Sequence, residues 1–277
     1  ALITDTLQRQ AASCLPALIP AIDTFLQTGR FSTSQFSDNP EYDEYDTDFP
    51  EEIVGQAREL KELAQTLPEE DPKYEQLLKL IQETLQSPGP GKVLIFSYFL
   101  HTLHYLHQKL YQAGYRTGLV TGEIKDERER ELLRNRFRLP KNDREAIDIL
   151  LSSEVGCEGL DYEFCDRLVN YDIPWNPMRI EQRIGRIDRF GQKSEKIMIF
   201  NFITPSTVEE RIFFRCFERL GVFQDTLGDL EEVLGGLVDD LTKIALDPSL
   251  SDTQAEELVR QKSDNLLRQV EEERRLE

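Results

Sequence analysis

Apolar residues recur with one period in the first third of the chain and with another in the middle. Up to about residue 90 they return every three or four positions, which predicts amphipathic helices. The two clearest sets are Leu60, Leu63, Ala64 and Leu67, and then Tyr74, Leu77, Leu78, Ile81 and Leu85. An acidic run at residues 38–46 interrupts this pattern, and we expect a solvated loop there rather than an interaction tail. The sequence Ser-Pro-Gly-Pro-Gly at residues 87–91 ends the segment.

From residue 91 the pattern changes to short apolar runs separated by helical ones. Five runs predict buried strands, at residues 93–96, 119–120, 147–151, 168–171 and 197–202. Four helices are predicted between and after these strands. The first has Leu100, Leu103, Leu106 and Leu110 on one face, and the second covers residues 126–138. The third runs from Asn176-Pro177 through about Arg189, and the fourth from a Ser206-x-x-Glu209 capping box to about residue 220. Apolar strands that alternate with helices predict the α/β class, a doubly wound parallel sheet with helices on both faces.

Charge follows the same division. The chain carries 33 Lys and Arg against 52 Asp and Glu, a formal net charge of −19, which argues against nonspecific nucleic-acid binding by the chain as a whole. Residues 1–90 have 6 basic and 17 acidic side chains, residues 91–220 have 21 and 20, and residues 221–277 have 6 and 15. We therefore expect an acidic helical segment at 1–90, the α/β lobe at 91–221 and an acidic helical extension at 222–277.

Four further features of the sequence bear on the class of protein: its apolar runs, its first residues, its cysteines and its histidines. No run of about 18 apolar residues exists, which excludes a membrane-spanning helix. The chain opens on Ala1-Leu2-Ile3 without an initiator Met or a signal-peptide pattern, and we expect it to be a piece of a longer protein. Four cysteines without a C-x-x-C pair favour buried free thiols in a reducing, cytoplasmic compartment of bacterial type. The histidines His101, His104 and His107 are expected on a helix surface rather than at a metal site.

The loop after the third predicted strand, residues 152–161, holds many residues that can bind a ligand. It holds Ser152, Ser153, two glycines and three carboxylates within ten residues. In a doubly wound sheet, ligands bind where the strands end, and glycines allow a backbone to approach a phosphate or a sugar. Asp161 is a candidate acceptor for a ribose hydroxyl. An ordinary strand-to-helix turn is the equally weighted alternative for this loop alone.

Four arginines follow the fourth predicted strand. Arg179, Arg183, Arg186 and Arg189 are spaced by four, three and three residues, which predicts one shared helix face. Only Glu181 and Asp188 lie nearby in sequence, so a surface of salt bridges is disfavoured and binding of a phosphate chain is favoured. No G-x-x-x-x-G-K-[ST] string is present to wrap the phosphates. Trp175 is a candidate either for stacking on a base or for packing at the sheet edge.

These segments, taken in order, resemble a known family. Residues 93–97, 121–122, 152–161, 171–177 and 182–192 are similar to motifs IV, V and VI of the C-terminal RecA-like lobe of superfamily 2 helicases. The string Arg189-Phe190-Gly191-Gln192 resembles the Swi/Snf-type ATPases. The form of residues 153–159 is closest to the bacterial RNA polymerase-associated helicase-like subgroup. The resemblance covers about residues 91–220.

The resemblance implies a role for each matching residue. Arg186 and Arg189 would be catalytic and would reach the γ-phosphate of ATP held on the other lobe. The implied nucleotide-binding residues are Gly159, Asp161, Gln182 and Arg183. The implied nucleic-acid-binding residues are Ser97, Thr121, Ser152 and Ser153, as backbone contacts without base readout. ATP with Mg²⁺ would be bound mainly by an N-terminal RecA-like lobe of the same parent chain.

Two functions follow as alternatives. The first is the motor lobe of an ATP-dependent translocase or helicase-like enzyme, with double-stranded DNA as the expected nucleic acid and no activity without the N-terminal lobe. The second is a non-catalytic scaffold that docks RNA polymerase or another partner through the acidic flanks. An inactive helicase relative is disfavoured because the arginine set is intact.

Overall fold

The computed structural model describes residues 2–28, 30–32, 46–48, 51–67, 70–174, 177–207 and 209–210, with single positions at 244, 250, 254, 257, 258 and 261. Trp175, Asn176, Cys216, the acidic run up to residue 45, the predicted helix beyond residue 210 and most of the 222–277 extension lie outside these residues. The chain divides into two compact units. Unit 1 is Ala1–Ile173 with Gln182–Phe202, and unit 2 is Pro174–Glu181 with Ile203–Glu277.

The first segment of unit 1 is mainly helical, as predicted. Its helices are α1 (Leu2–Ser13), α2 (Leu18–Thr28), α3 (Glu51–Gln65) and α4 (Pro72–Gln86). Two short strands, β1 (Arg30–Ser32) and β2 (Asp46–Asp48), pair antiparallel between α2 and α3, and the sequence pattern did not predict them. The Asp71 side chain accepts a hydrogen bond from the Tyr74 amide at 3.0 Å and caps the start of α4, where Pro72 occupies the first turn.

A five-stranded parallel sheet forms the centre of unit 1. After α4 the chain runs through β3 (Val93–Phe96), α5 (Leu100–Gln112), β4 (Thr117–Val120), α6 (Glu127–Arg138), β5 (Ile149–Ser152), β6 (Arg167–Asn170), α7 (Pro177–Ile184) and β7 (Met198–Asn201). The strands lie in the order β4-β5-β3-β6-β7, and all neighbouring pairs are parallel. The predicted doubly wound parallel sheet is confirmed.

Apolar side chains cover both faces of the sheet. Successive residues of β3 alternate, so that Val93 and Ile95 belong to one buried cluster while Leu94 and Phe96 belong to the other. The first cluster includes Leu103, Leu106 and Leu110 of α5, and the second includes Phe137 of α6. Each fully buried side chain of this kind stabilises the fold by about 1.5–3 kcal/mol.

Helices that precede the sheet in sequence also join its core. Leu77 and Ile81 of α4, together with Cys14 and Ala17, belong to the same buried cluster as Val93 and Ile95 of β3. α2 and α3 form a third cluster with Tyr98 and Phe99, the residues that follow β3. The predicted division of the chain at residue 90 stays a prediction, and the packing joins helices before that point to the sheet after it.

In unit 2, the start of the last predicted helix is described at residues 209–210. The Glu209 amide donates to Thr207 Oγ1 at 3.3 Å, and the Ser206 amide donates to Glu210 Oε2 at 2.7 Å. The predicted Ser206–Glu209 capping box is therefore wrong by one residue. Ser206 has φ 60°, which is unfavourable for a cap residue.

Candidate active site at the carboxyl edge of the sheet

The carboxyl ends of the strands bring the predicted site residues to one edge of the sheet. Thr121 follows β4, Ser152 ends β5 and Ser153 follows it, and Ser97 follows β3. Because β4, β5 and β3 are neighbours in the sheet, these four residues lie in a row along its edge. Asp161 and the arginines come from the connections after β5 and β6. Parallel strand order alone therefore collects residues that are far apart in sequence.

The loop after β5 is compact and closely packed on β4. The Gly156 amide donates to Ser153 Oγ at 3.0 Å, and the Ser153 amide donates to the Val120 carbonyl at 3.1 Å. A Cβ at Gly156 would lie 2.1 Å from the Val120 carbonyl oxygen, so only glycine fits this approach. Gly159 has φ +76°, a left-handed conformation that allows the loop to turn toward Asp161.

Arg186 and Arg189 converge on the carboxylate of Asp161. An Arg189 Nη1 donates to Asp161 Oδ1, and Arg186 Nη1 lies 4.0 Å from the same oxygen while donating to the Leu160 carbonyl at 3.5 Å. The side chain of Arg189 is 53% exposed and that of Arg186 is 25% exposed. Two accessible guanidinium groups thus surround one anionic group at the edge of the sheet.

The predicted helix through Arg189 is wrong, because α7 ends at Ile184. After it the chain forms tight turns, in which the Arg186 amide donates to the Arg183 carbonyl at 3.1 Å and the Gln192 amide donates to the Arg189 carbonyl at 3.0 Å. Gly185 follows the last helical residue, where glycine commonly ends helices. Gln192 Nε2 donates to the Ile187 carbonyl at 3.0 Å and holds the turns. Arg186 and Arg189 therefore do not lie on the helix that carries Arg179 and Arg183.

The arginines also have carboxylate partners that the sequence pattern did not reveal. Glu154 pairs with Arg183, and Asp161 pairs with Arg189, and both carboxylates come from the loop after β5. The inference against salt bridges is therefore wrong for Arg183 and Arg189, which pair with carboxylates that are distant in sequence. Sequence neighbours were the only basis for it, and the turn that joins β5 to β6 supplies the charges instead.

Arg183 is buried, with 2% of its surface exposed. Its Nε donates to Glu154 Oε1 at 2.9 Å, its Nη1 donates to Asn170 Oδ1 at 2.7 Å and to the Asp172 carbonyl at 3.3 Å. The guanidinium also lies over the Phe96 ring, 5.1 Å from the centroid. All these partners are inside unit 1. Gln182, its neighbour on α7, is exposed, and the nucleotide-binding role of both residues stays a prediction.

The four residues predicted to contact nucleic acid are buried, and their hydroxyls have partners within the lobe. Ser152 Oγ donates to the Val120 carbonyl at 3.2 Å, and Thr121 Oγ1 donates to Glu123 Oε2 at 3.2 Å. Ser153 Oγ accepts from Gly156, as described above. Ser97 Oγ donates to Asp172 Oδ2. Their contact with nucleic acid stays a prediction about the edge that they form.

Asp172 is a buried acceptor that joins three parts of unit 1. Besides Ser97, it accepts hydrogen bonds from Ser13 Oγ of α1 at 2.7 Å and from the Tyr98 amide at 2.8 Å. Sequence reasoning assigned no role to Asp172, although its position directly after a buried strand was a usable signal. Nothing in the sequence pattern marked Ser13.

Burial keeps the three described thiols of unit 1 in the protonated form. Burial raises the pKa of the Cys157 thiol, in the loop after β5, and that of the Cys165 thiol from 9.0 to about 12 each. Cys14, Cys157 and Cys165 are all buried and free, which confirms the prediction for the three cysteines that the structure describes. They are inert thiols rather than nucleophiles.

Comparison with known proteins identifies the part of the chain that carries this edge. Residues 72–191 match the family described as Helicase conserved C-terminal domain. The chain is 35% identical over 175 residues to the uncharacterized ATP-dependent helicase YqhH of Bacillus subtilis, covering 63% of this chain and 30% of that protein. It is 33% identical over 162 residues to the mouse DNA excision repair protein ERCC-6-like, covering 58% and 12%.

A third relative is the RNA polymerase-associated protein RapA of Vibrio cholerae, 39% identical over 82 residues, which are 29% of this chain and 8% of that protein. The chain thus spans less than a third of the length of each of these relatives. Among the residues that the structure describes, no helix is both long and apolar enough to cross a membrane. The matched family, the relatives and the parallel sheet agree. Over residues 72–191 the chain is similar to the helicase conserved C-terminal domain, and its five-stranded parallel sheet is the fold expected from the resemblance to the C-terminal RecA-like lobe of Swi/Snf-type superfamily 2 helicases.

Proposed function

We propose that this lobe is half of an ATP-driven motor that moves along double-stranded DNA, and that Arg186 and Arg189 are its arginine fingers. The observation that carries the proposal is the convergence of these two partly exposed guanidinium groups on the Asp161 carboxylate. A site that holds two arginines around one anion suits phosphate oxygens, which guanidinium groups bind through paired hydrogen bonds.

ATP is the substrate in this proposal. An N-terminal RecA-like lobe of the same parent chain would bind it with Mg²⁺ and would supply the phosphate-binding lysine. Arg186 and Arg189 would donate hydrogen bonds to the γ-phosphate and stabilise the charge that develops as its bond breaks. Gly159, Asp161 and Gln182 would lie beside the nucleotide. This lobe alone would hydrolyse ATP negligibly.

Nucleic acid would contact the row of Thr121, Ser152, Ser153 and Ser97. Two observations support this part of the proposal: the row follows the carboxyl ends of three adjacent strands, and one loop joins Ser152 and Ser153 to Asp161. The choice of DNA rests on the relatives, since one of them is named as a DNA excision repair protein. Contacts of this kind bind the phosphate backbone and read no base sequence.

The test is DNA-stimulated ATP hydrolysis by the full-length parent protein. We expect Arg186→Ala and Arg189→Ala each to lower turnover on the order of 10³-fold, with the KM for ATP nearly unchanged, because the fingers act in the transition state. Arg138→Ala is the matched control, since Arg138 is 57% exposed, pairs with Glu163 and should leave turnover unchanged. Equal turnover in the finger variants and the control would refute the assignment.

A second candidate function is docking of RNA polymerase through the acidic flanks. One relative, RapA, is named for its association with RNA polymerase. Deleting residues 222–277 separates the two functions, because the packed helices before the sheet remain intact. If docking is the function, polymerase binding is lost while DNA-stimulated ATP hydrolysis is retained; if the lobe is only a motor, polymerase binding is absent from the start.

A further inference from the structure

We infer that the buried Arg183–Glu154 pair is a latch between α7 and the loop after β5, and that Arg183 is a positioning residue rather than a nucleotide ligand. The inference rests on the proposed function for its catalytic consequence. Its structural part stands on the contacts of the pair alone. The pair lies at the base of the two segments that carry Asp161 on one side and the arginine fingers on the other.

The position of the pair explains why it would matter. Glu154 lies seven residues before Asp161, and Arg183 lies three before Arg186. The two segments are therefore joined at their base by Arg183–Glu154 and at their far end by Arg189–Asp161. The Tyr162 amide, directly after Asp161, donates to the carbonyl of Arg186 at 2.7 Å. Loosening the base would shift the finger segment relative to the loop.

The pair is built for rigidity rather than for binding a ligand. The side chain of Arg183 is 1% exposed and that of Glu154 is 8% exposed. Two of the nitrogens of Arg183 contact one oxygen of Glu154, while Nη1 bonds the side chain of Asn170 and the carbonyl of Asp172. A guanidinium that is satisfied on three sides and stacked on Phe96 offers little to an incoming phosphate.

The same contacts extend the latch toward the predicted nucleic-acid edge. Asp172, whose carbonyl accepts from Arg183, accepts with its carboxylate from Ser97. Glu154 directly follows Ser153 in the chain. One guanidinium therefore joins the ends of β5 and β6, and through Asp172 reaches the end of β3. Lysine cannot reproduce this arrangement, because it lacks the planar fork of donors.

The experiment compares Arg183→Met, Arg183→Lys and the double variant Glu154→Gln/Arg183→Met in the full-length parent protein. We expect both single variants to lower DNA-stimulated turnover on the order of 10²-fold, because a shift of about 1 Å in a positioned group has this effect. The KM for ATP should stay within about threefold of the wild-type value. The double variant leaves no unpaired buried charge, so it should recover much of the lost melting temperature without recovering turnover.

Arg116→Met is the matched control. Arg116 binds Asp148 through two bonds, of 2.7 and 2.8 Å, at the opposite edge of the same sheet. We expect it to lower the melting temperature as Arg183→Met does while leaving DNA stimulation unchanged. If turnover recovers together with melting temperature in the double variant, the pair is only structural and the inference fails. If Arg183→Met raises the KM for ATP tenfold with turnover intact, Arg183 is a nucleotide ligand.

Hydrogen exchange on this chain separates failure of the latch from failure of the proposed function. In Arg183→Met the amides of residues 153–161 should exchange faster, whereas in Arg116→Met they should not. Unchanged exchange in this loop would overturn the latch whatever the enzyme does. A wild-type parent protein without DNA-stimulated ATP hydrolysis would overturn the proposed function and leave the exchange result valid.

Discussion

Replacing Gly156 by alanine should destabilise the lobe through a clash that no side-chain movement can relieve. The added Cβ would lie 2.1 Å from the Val120 carbonyl oxygen, 2.5 Å from the carbonyl carbon and 2.7 Å from the Thr121 Cα. All three obstacles are backbone atoms of β4 or of the residue after it. The loop after β5 must therefore move away from β4.

The size of the effect follows from these distances. Real Cβ contacts almost never fall below 3.0 Å, so the loop must move by about 0.9 Å from its 2.1 Å approach. Overpacking of a close-packed interior costs about 1–3 kcal/mol, and a rigid backbone obstacle puts Gly156→Ala at the upper end of that range. The displaced segment begins with Ser153 and Glu154, so DNA-stimulated turnover should fall as well.

Urea denaturation followed by circular dichroism measures the change, with Gly55→Ala as the control of opposite sign. Gly55 lies inside α3, and nothing stands within 4 Å of its added Cβ. Alanine there should stabilise the helix by about 0.5–1 kcal/mol, because glycine is the poorer helix former. Equal unfolding free energies for wild type and Gly156→Ala would refute the close approach of the loop to β4.

Three further outcomes are expected. Asp172→Ala leaves three donors without their acceptor and should lower the unfolding free energy by at least about 3 kcal/mol. The control Asp126→Ala, at the exposed start of α6, should lower it by about 1 kcal/mol. Similar losses for the two variants in urea titrations would contradict this prediction. The Cys157 thiol keeps its proton up to pH about 12 in the folded protein but only to about 9 in the unfolded chain, so the free energy of unfolding should fall as pH rises through that window. Cys157→Ala should make this fall shallower in urea titrations at pH 8 to 10.5. An unchanged slope would count against burial of the thiol. A fragment of residues 72–202 keeps the sheet, α4 and α5 but lacks α2 and α3, which bury Tyr98 and Phe99. It should bind the dye ANS and aggregate in size-exclusion chromatography, whereas a monomeric fragment that binds no dye would argue against the role of these helices in the core.

The sheet was predictable because its strands are short apolar runs separated by segments with helical periodicity. All five strands lie where those runs predicted them, within two residues or so at each end, and the helices α5 and α6 follow the periodicity. The strand order was not predictable, because several windings satisfy the same pattern. The short pair β1 and β2 was missed since three-residue strands carry no periodicity.

The residues of the site were predictable from the sequence, whereas their burial and their ion-pair partners were not. The arginine string and the loop after β5 were visible as unusual local composition. The burial of Arg183 and its pairing with Glu154 depend on a contact across 29 residues, which no local pattern contains. The end of α7 at Ile184 was missed because the arginine spacing was interpreted as helical, although Gly185 signalled a break.

The hydrogen bond between Ser13 and Asp172 bears on how the chain is made. Its two partners are separated by 159 residues, so a ribosome that adds about 5–20 residues per second needs roughly 10 to 30 s to deliver the second after the first. During that interval α1 has emerged without its acceptor, whereas the apolar side chains of α2 need only α3 and residues 98–99 to complete their cluster. Although α1 is synthesised before the sheet, its buried hydroxyl thus finds its acceptor only after β6 has been made.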